Sequence, residues 1–281
     1  MSSVAQRLHE AAQRLAIVTE TPRLDAELLM AHAAGMSRSR LLACLREELA
    51  VPRFEEFVQR RLGCEPIAYI SGEWEFFSLE FIVEKPLLVP RPETEHLVEA
   101  ALAHFKKSPK PAPRILDLGT GTGCVAIALG KNIPGAHITA TDLNPAALAV
   151  ARKNALRHGV AVELREGDLF SPLGAEETFD AIVSNPPYVE SVEWNALSPV
   201  IRLHEDPRAL LGGPDGLEVI RRLILQAPQH LVPGGLLAIE IGERQRDAVS
   251  LLLERAGFVD IHFVNDLAGI SRIACGTHGA A

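Results

Sequence analysis

From Arg114 onward, short apolar runs rich in Ile, Val and Leu alternate with segments of helical period, and no internal repeat or low-complexity tail interrupts them. That alternation restricts the fold to a parallel sheet with helices on both faces, an α/β class. The candidate strands are 114–119, 137–142, 161–166, 179–184, 235–241, 259–265 and 270–275. Helices between them begin near Cys124, Pro145, Asp215 and Arg244. The last two strands are separated by a short turn with no room for a helix, so they are expected to be antiparallel. The expected result is a seven-stranded, Rossmann-like domain.

The region before it reads differently. Residues 1–72 show helical spacing, with Val4, Leu8, Ala11, Ala12 and Leu15 in one stripe and Phe54, Phe57, Val58, Arg61 and Leu62 in another. Thr21 before Pro22 marks a capped helix start, and Gly35 a helix end. This is a small all-helical domain, suited either to packing or to gripping a macromolecular substrate. Residues 73–89 crowd Trp74, Phe76, Phe77, Leu79, Phe81 and Val83 into a β-rich stretch, read as a hairpin linker. Residues 90–281 are then expected to form the sheet-bearing domain.

The length of 281 residues accommodates these parts. A formal net charge of -8 argues against a protein built for tight, non-specific nucleic-acid binding, which needs clustered Lys and Arg. Cys44, Cys64, Cys124 and Cys275 lie far apart without metal-site or redox-pair spacing, as expected for reduced thiols of a cytoplasmic protein. No leader and no membrane-spanning run is expected, and no metal.

The first candidate site is the run Asp117-Leu118-Gly119-Thr120-Gly121-Thr122-Gly123, a strand feeding a glycine-rich turn at a helix start. Glycines let backbone approach a ligand closely and accept positive φ. Cys124 stands where a dinucleotide fingerprint has its third glycine, which counts against NAD. Asp142 ends the next strand, where a ribose diol is held in such folds. Asp117 is placed to orient the loop or a cofactor amino group. Asp168, beside Leu169, either meets an adenine or caps its turn.

The second candidate site is Ser184-Asn185-Pro186-Pro187-Tyr188, at the end of the buried strand Phe179–Val183. Open α/β folds bind ligands at the C-terminal edge of the sheet. Two prolines stiffen the chain there and remove backbone donors. Asn185 Oδ1, the Pro186 carbonyl and the ring of Tyr188 make a socket for a planar group that carries an NH2. Glycine turn, distal acid and this edge, in that order, point to S-adenosylmethionine as the cofactor. Two acceptors facing the NH2 favour a pyramidal nitrogen whose lone pair is aimed at a methyl. No catalytic His or Cys pattern is needed for that, and the ten histidines are scattered.

Four stretches, Leu88-Val89-Pro90-Arg91-Pro92-Glu93-Thr94-Glu95, the two sites and Pro233-Gly234-Gly235, carry a resemblance over nearly the whole chain. The sequence resembles the peptide chain release factor glutamine methyltransferases. The resemblance implies methylation of the glutamine side-chain nitrogen in the Gly-Gly-Gln loop of class 1 release factors. It implies cofactor contacts by Gly119, Thr120, Gly121, Thr122, Gly123, Asp142, Leu169 and Asn185. It also implies that Asn185, Pro186, Pro187 and Tyr188 bind the glutamine, with Asn185, Pro186 and Tyr188 catalytic. Leu169 stands where some relatives carry a larger aromatic. Leu203–Leu210 resembles a family stretch but holds an extra-looking acid, and is expected to lie outside the site. The alternatives are an adenine amino-methyltransferase, which needs a basic surface this chain lacks, and a glutamine methyltransferase of a ribosomal protein, whose relatives carry serine after the Pro-Arg. A non-catalytic module that kept the fold is a further alternative, against which the intact Asn185 and Asp142 argue.

Overall fold

Ser3 opens the first helix through a reciprocal capping box: its Oγ accepts from the Gln6 amide, and Gln6 Oε1 accepts from the Ser3 amide at 3.0 Å. The computed structural model describes residues 2–279, which divide into two units. One unit holds the described residues up to Trp74 together with Leu197–Glu205. It contains α1 (Val4–Leu15), α2 (Pro22–Ala33), α3 (Arg38–Ala43), α4 (Phe54–Leu62), α5 (Ile67–Ser71) and the single turn Pro199–Arg202. Leu8, Leu15, Leu29, Met30, Phe57 and Val58 fill its core.

Two local expectations need adjusting in this unit. Thr21 makes no side-chain cap; its Oγ1 donates to Asp25 Oδ1 at 3.0 Å, while Pro22 sets the first turn. Arg61, which helical spacing places in an apolar stripe, is buried as an ion. Its Nε donates to Asp25 Oδ2 at 2.8 Å and ties α4 to α2. Gly35 follows α2 with φ +62°, the left-handed value that ends helices.

The second unit is Glu75–Ala196 with Asp206–Ala281, of which residues up to 279 are described. A two-stranded hairpin, β1 (Glu73–Phe76) and β2 (Leu79–Ile82), stands at its start, and the unit boundary falls inside β1. The main sheet has seven strands: β3 (Arg114–Leu118), β4 (His137–Asp142), β5 (Val162–Glu166), β6 (Phe179–Ser184), β7 (Leu231–Glu240), β8 (Phe258–Asn265) and β9 (Ser271–His278). Their order is β5-β4-β3-β6-β7-β9-β8. The first five strands run parallel, and β9 is antiparallel to both β7 and β8.

The helices are α6 (Glu95–Lys107), α7 (Cys124–Asn132), α8 (Pro145–His158), α9 (Glu218–Gln226) and α10 (Arg246–Arg255). Period-2 alternation divides the strands between two cores. Ile115, Ala181, Val183 and Ala238 join Leu97, Val98, Ile127 and Leu129 of α6 and α7. Leu116, Leu118, Ile182 and Leu237 join Ile220, Leu223, Val249 and Leu253 of α9 and α10. β7 begins at Leu231, earlier than its sequence suggests. Phe179 pairs with Leu231 and Ala181 with Leu236, so the chain bulges through Pro233 and Gly234, which look like a turn when read alone. Among the described residues no helix is long and apolar enough to cross a membrane.

The chain passes from β3 outward to β4 and β5, then returns on the other side of β3 as β6. This reversal opens a crevice at the C-terminal ends of β3 and β6. Leu118 pairs with Ser184, so Gly119 and Asn185 leave the sheet side by side. Asp142 closes β4 next door.

Replacing Arg61 by Leu leaves the Asp25 carboxylate buried without its countercharge. The helical unit is expected to lose about 3–5 kcal/mol of unfolding free energy, read from denaturant titration, and replacing both partners by Leu to recover most of the loss.

Candidate active site

The glycine turn is built from backbone and two carboxylates. Gly119, Gly121 and Gly123 have φ of +71°, +56° and +82°. The amides of Gly119 and Thr120 donate to the Thr141 carbonyl at 2.9 and 3.0 Å, which locks the turn to β4. Asp117 is fully buried beneath it and accepts from Thr120 Oγ1 at 2.6 Å and from the Ala126 amide at 3.2 Å. Burial pushes its pKa up to about 7 against the opposing effect of these bonds. Of its two expected roles, the structure gives Asp117 the orientation of the loop. A Cβ on Gly123 would come within 3.1 Å of Ala151 Cβ, so this glycine lets α7 approach α8. Burial also pushes the Cys124 thiol up to about 12, which rules it out as a nucleophile near neutral pH.

Gly119, Gly121, Asp142, Leu169, Asn185 and Pro187 line one cavity of about 270 Å³. Thr120, Thr122 and Gly123 stand behind it: both threonines are buried, and the Thr122 carbonyl accepts from Asn154 Nδ2. Pro186 and Tyr188 line an adjoining cavity of about 30 Å³, together with Arg91 and Leu88. Asn185 lines both, as does Leu88.

Asp142 is positioned by two amides, Gly121 N to Oδ2 and Asn144 N to Oδ1, each at 2.8 Å. Each oxygen keeps a lone pair for a ligand hydroxyl. Burial raises the carboxyl's pKa, and the amide bonds oppose that rise. Leu169 sits at φ +50°, a strained value for a leucine, with its carbonyl accepting from Thr141 Oγ1 at 3.2 Å. Asp168 lines the same cavity and receives Arg222 Nη2 at 2.6 Å.

Three features of the site are not evident from sequence. Leu143 lies on the wall of the larger cavity, an apolar side chain left 60% exposed at the cavity edge. Asp206, Arg208 and Ala209 lie on it too, which corrects the expectation that Leu203–Leu210 falls outside the site. The Arg208 guanidinium, 2.7 Å from Asp206, holds that carboxyl below its usual range. The third feature is a buried polar chain behind Asn185. Asn185 Nδ2 donates to Thr94 Oγ1 at 3.0 Å, and Thr94 Oγ1 donates to Glu240 Oε2 at 2.6 Å. Tyr188 Oη donates to the other oxygen, Glu240 Oε1, at 3.0 Å. Thr94 and Glu240 are 2% and 1% exposed. Burial, with the Glu240 charge beside it, pushes the Tyr188 phenol far up; burial likewise raises Glu240.

Tyr188 is also gripped through its backbone. Gln245 Nε2 donates to its carbonyl at 3.0 Å, and a Cβ on Gly216 would lie 2.2 Å from the same oxygen. Gly216, at φ +69°, is therefore required twice over, by its backbone angle and by the close approach.

The chemistry of the larger cavity fits S-adenosylmethionine. A carboxylate with free lone pairs suits a ribose diol, open glycine backbone admits close approach, and the apolar wall of Leu143, Leu169 and Ala147 suits an adenine.

Comparison with known proteins agrees. Residues 96–203 match the model of the methyltransferase small domain, and residues 6–72 that of the PrmC N-terminal domain. A release factor glutamine methyltransferase of Geobacter sulfurreducens is 42% identical over 92% of this chain and 91% of its own. One from Cereibacter sphaeroides is 45% identical over 96% of both. The chain belongs to the release factor glutamine methyltransferase family. It is thus a methyltransferase, and S-adenosylmethionine is the cofactor its family and cavity share. The T. thermophilus 16S rRNA methyltransferase RsmC, solved with AdoMet and guanosine, shares the fold at 17% identity. Its TM-score is 0.54, over 73% of this chain and 49% of its own.

Two outcomes follow from the carboxylates. Asp142→Ala is expected to weaken S-adenosylmethionine binding roughly 10- to 100-fold by calorimetry, the worth of hydrogen bonds to a charged group. Asp117 has a folded pKa above its unfolded value, so the folded state holds the extra proton between about pH 4 and about pH 7. Its contribution therefore favours folding at low pH and is lost as pH rises through about 7. Asp117→Asn should flatten that fall when thermal midpoints are measured across this window.

Proposed function

We propose that this protein methylates the side-chain amide nitrogen of the glutamine in the Gly-Gly-Gln loop of class 1 peptide chain release factors. The observation that carries the reading is the place of Asn185, on the wall common to the large cavity and the small one. S-adenosylmethionine, when bound, supplies a methyl group on an electrophilic sulfonium. Gly119, Gly121, Asp142 and Leu169 would hold it in the large cavity, and Asn185, Pro186, Pro187 and Tyr188 would hold the glutamine beside it.

A primary amide is a poor nucleophile because its lone pair is delocalised into the carbonyl. With Asn185 Nδ2 committed to Thr94, the Oδ1 end is left to accept one hydrogen of the substrate NH2. The Pro186 carbonyl accepts the other. Two acceptors fixed in space turn the lone pair out of conjugation and toward the electrophile. The bound cofactor would supply the methyl to that lone pair and keep the electron pair of the bond it gives up. The nitrogen is acidic once alkylated and releases its proton to solvent, so a strong base is not demanded of the chain. Orientation of this kind supplies roughly 7–11 kcal/mol in well-aligned cases. Tyr188 packs its ring on the flat amide, held by its bond to Glu240. A release factor partner places this activity in the cytoplasm.

Incubation with labelled S-adenosylmethionine and a class 1 release factor, followed by peptide mass mapping, is expected to put one methyl on that glutamine; label on DNA or a ribosomal protein alone would overturn the reading. Asn185→Ala should lower turnover roughly 100-fold, the scale of lost alignment, while the cofactor dissociation constant changes much less.

A further inference from the structure

Asn185 is useful to a substrate NH2 only if its oxygen faces the substrate. An asparagine side chain offers an acceptor and a two-hydrogen donor of nearly the same shape, and a half-turn about its last bond exchanges them. Presenting the donor end would set N–H against N–H. Something must therefore choose the end, and neither proline beside Asn185 can do so.

The buried chain behind the residue makes the choice. Glu240 offers two acceptor oxygens, and each receives one hydroxyl: Oε2 from Thr94 and Oε1 from Tyr188. Glu240 as a carboxylate has no hydrogen to give. Thr94 has a single hydroxyl hydrogen, which is spent on Glu240 at 2.6 Å, so toward Asn185 it can only accept. The neighbouring end of Asn185 must then be the donor Nδ2, and Oδ1 is turned the other way. Polarity is passed along the chain, from a charge that can only accept to an amide whose oxygen is thereby exposed.

The elements that carry these groups are rigid. Glu240 ends β7, whose preceding residues Leu237, Ala238 and Ile239 are fully buried. Thr94 ends the short turn Pro92–Thr94 ahead of α6, where its amide donates to the Arg91 carbonyl at 3.1 Å. The same carboxylate fixes the phenol of Tyr188, so one buried group sets both the amide and the ring that would face the glutamine.

We propose that Thr94 and Glu240 are positioning residues that select the acceptor face of Asn185, and through it a substrate bearing an NH2. The assignment rests on the glutamine methyltransferase reading above for its substrate, but the orientation itself can be observed without one.

The test compares wild type with Thr94→Ser, Thr94→Val and Glu240→Gln in the full-length protein. Turnover and KM are measured with a release factor, the cofactor dissociation constant by calorimetry, and hydrogen exchange of the Asn185 side-chain amide by NMR. Thr94→Val keeps the shape of threonine but removes the hydroxyl. It is expected to lower kcat roughly 10- to 100-fold, the effect of leaving one buried polar group unpaired. KM and the cofactor constant should move little, and the Asn185 amide hydrogens should exchange faster. Thr94→Ser keeps the hydroxyl and is expected to retain kcat within a few fold. Glu240→Gln brings a donor to the chain and should impair kcat as Thr94→Val does.

Wild-type kcat in Thr94→Val, or equal losses in the serine and valine variants, would overturn the proposal. So would an Asn185 amide whose exchange is the same in wild type and Thr94→Val. A wild-type enzyme that leaves the release factor unmethylated would sink the substrate assignment instead, and the exchange measurement would still decide whether Thr94 orients Asn185.

Discussion

The pairing of Leu118 with Ser184 in adjacent parallel strands is the constraint on which the site depends. It brings the first glycine of one turn and the asparagine of another out of the sheet at the same height. A slip of one residue would turn every side chain of β6 to the opposite face. Ile182 would exchange cores with Ala181 and Val183, and the full burial of all three makes that expensive. Two hydrophobic cores thus fix a distance between polar groups that neither core touches. Ser184 adds a bond of its own, its Oγ donating to the Leu118 carbonyl at 2.7 Å.

What register sets along the strands, buried polar groups set across them. Glu240 and Thr94 would be costly if either were left unpaired, because both are almost wholly buried. Here the count closes: two hydroxyls meet two carboxylate oxygens, and the threonine oxygen takes the asparagine hydrogen. The cost of burying the charge at the end of an apolar strand shows in the raised pKa of Glu240. A carboxylate retained at such a place is well suited to dictating direction, since it accepts at both oxygens and donates at neither.

Much of this is legible in the amino-acid sequence alone. The central strands β3 and β6 are evident because each is a mostly apolar, buried run, and β3, β4 and β6 fall within a residue of their expected bounds. Asn185 and Asp142 are evident because acids and amides at strand ends stand out against such runs. Glu240 carries the same signal, an acid closing Leu236–Ile239, but its partner Thr94 is 146 residues away and no local pattern joins them. The close approach of Gly216 to the Tyr188 carbonyl is likewise hidden, because the sequence shows a glycine and not what lies over it. Asp206 and Arg208 read as a disturbed motif when taken alone. Their place on the cavity wall comes from a turn anchored by the Asp206 amide on the Pro86 carbonyl.

One group invites a different chemistry. Asp117, with a pKa pushed up to about 7, has the value expected of a general base at neutral pH. Its geometry forbids the role: one oxygen is bound by both Thr120 Oγ1 and the Ala126 amide, the side chain is buried behind the glycine turn, and it lines neither cavity. The raised pKa is the consequence of holding a carboxylate in the core to shape that turn. A perturbed value marks a functional site only when the group can reach a reacting atom. Asn185, Pro186 and Tyr188 do line the small cavity, and the tyrosine's phenol is held far above its ordinary range. None of them exchanges a proton near neutral pH. In the reaction proposed above their contribution would be orientation, which is what an amide nitrogen lacks, and no base is demanded of them.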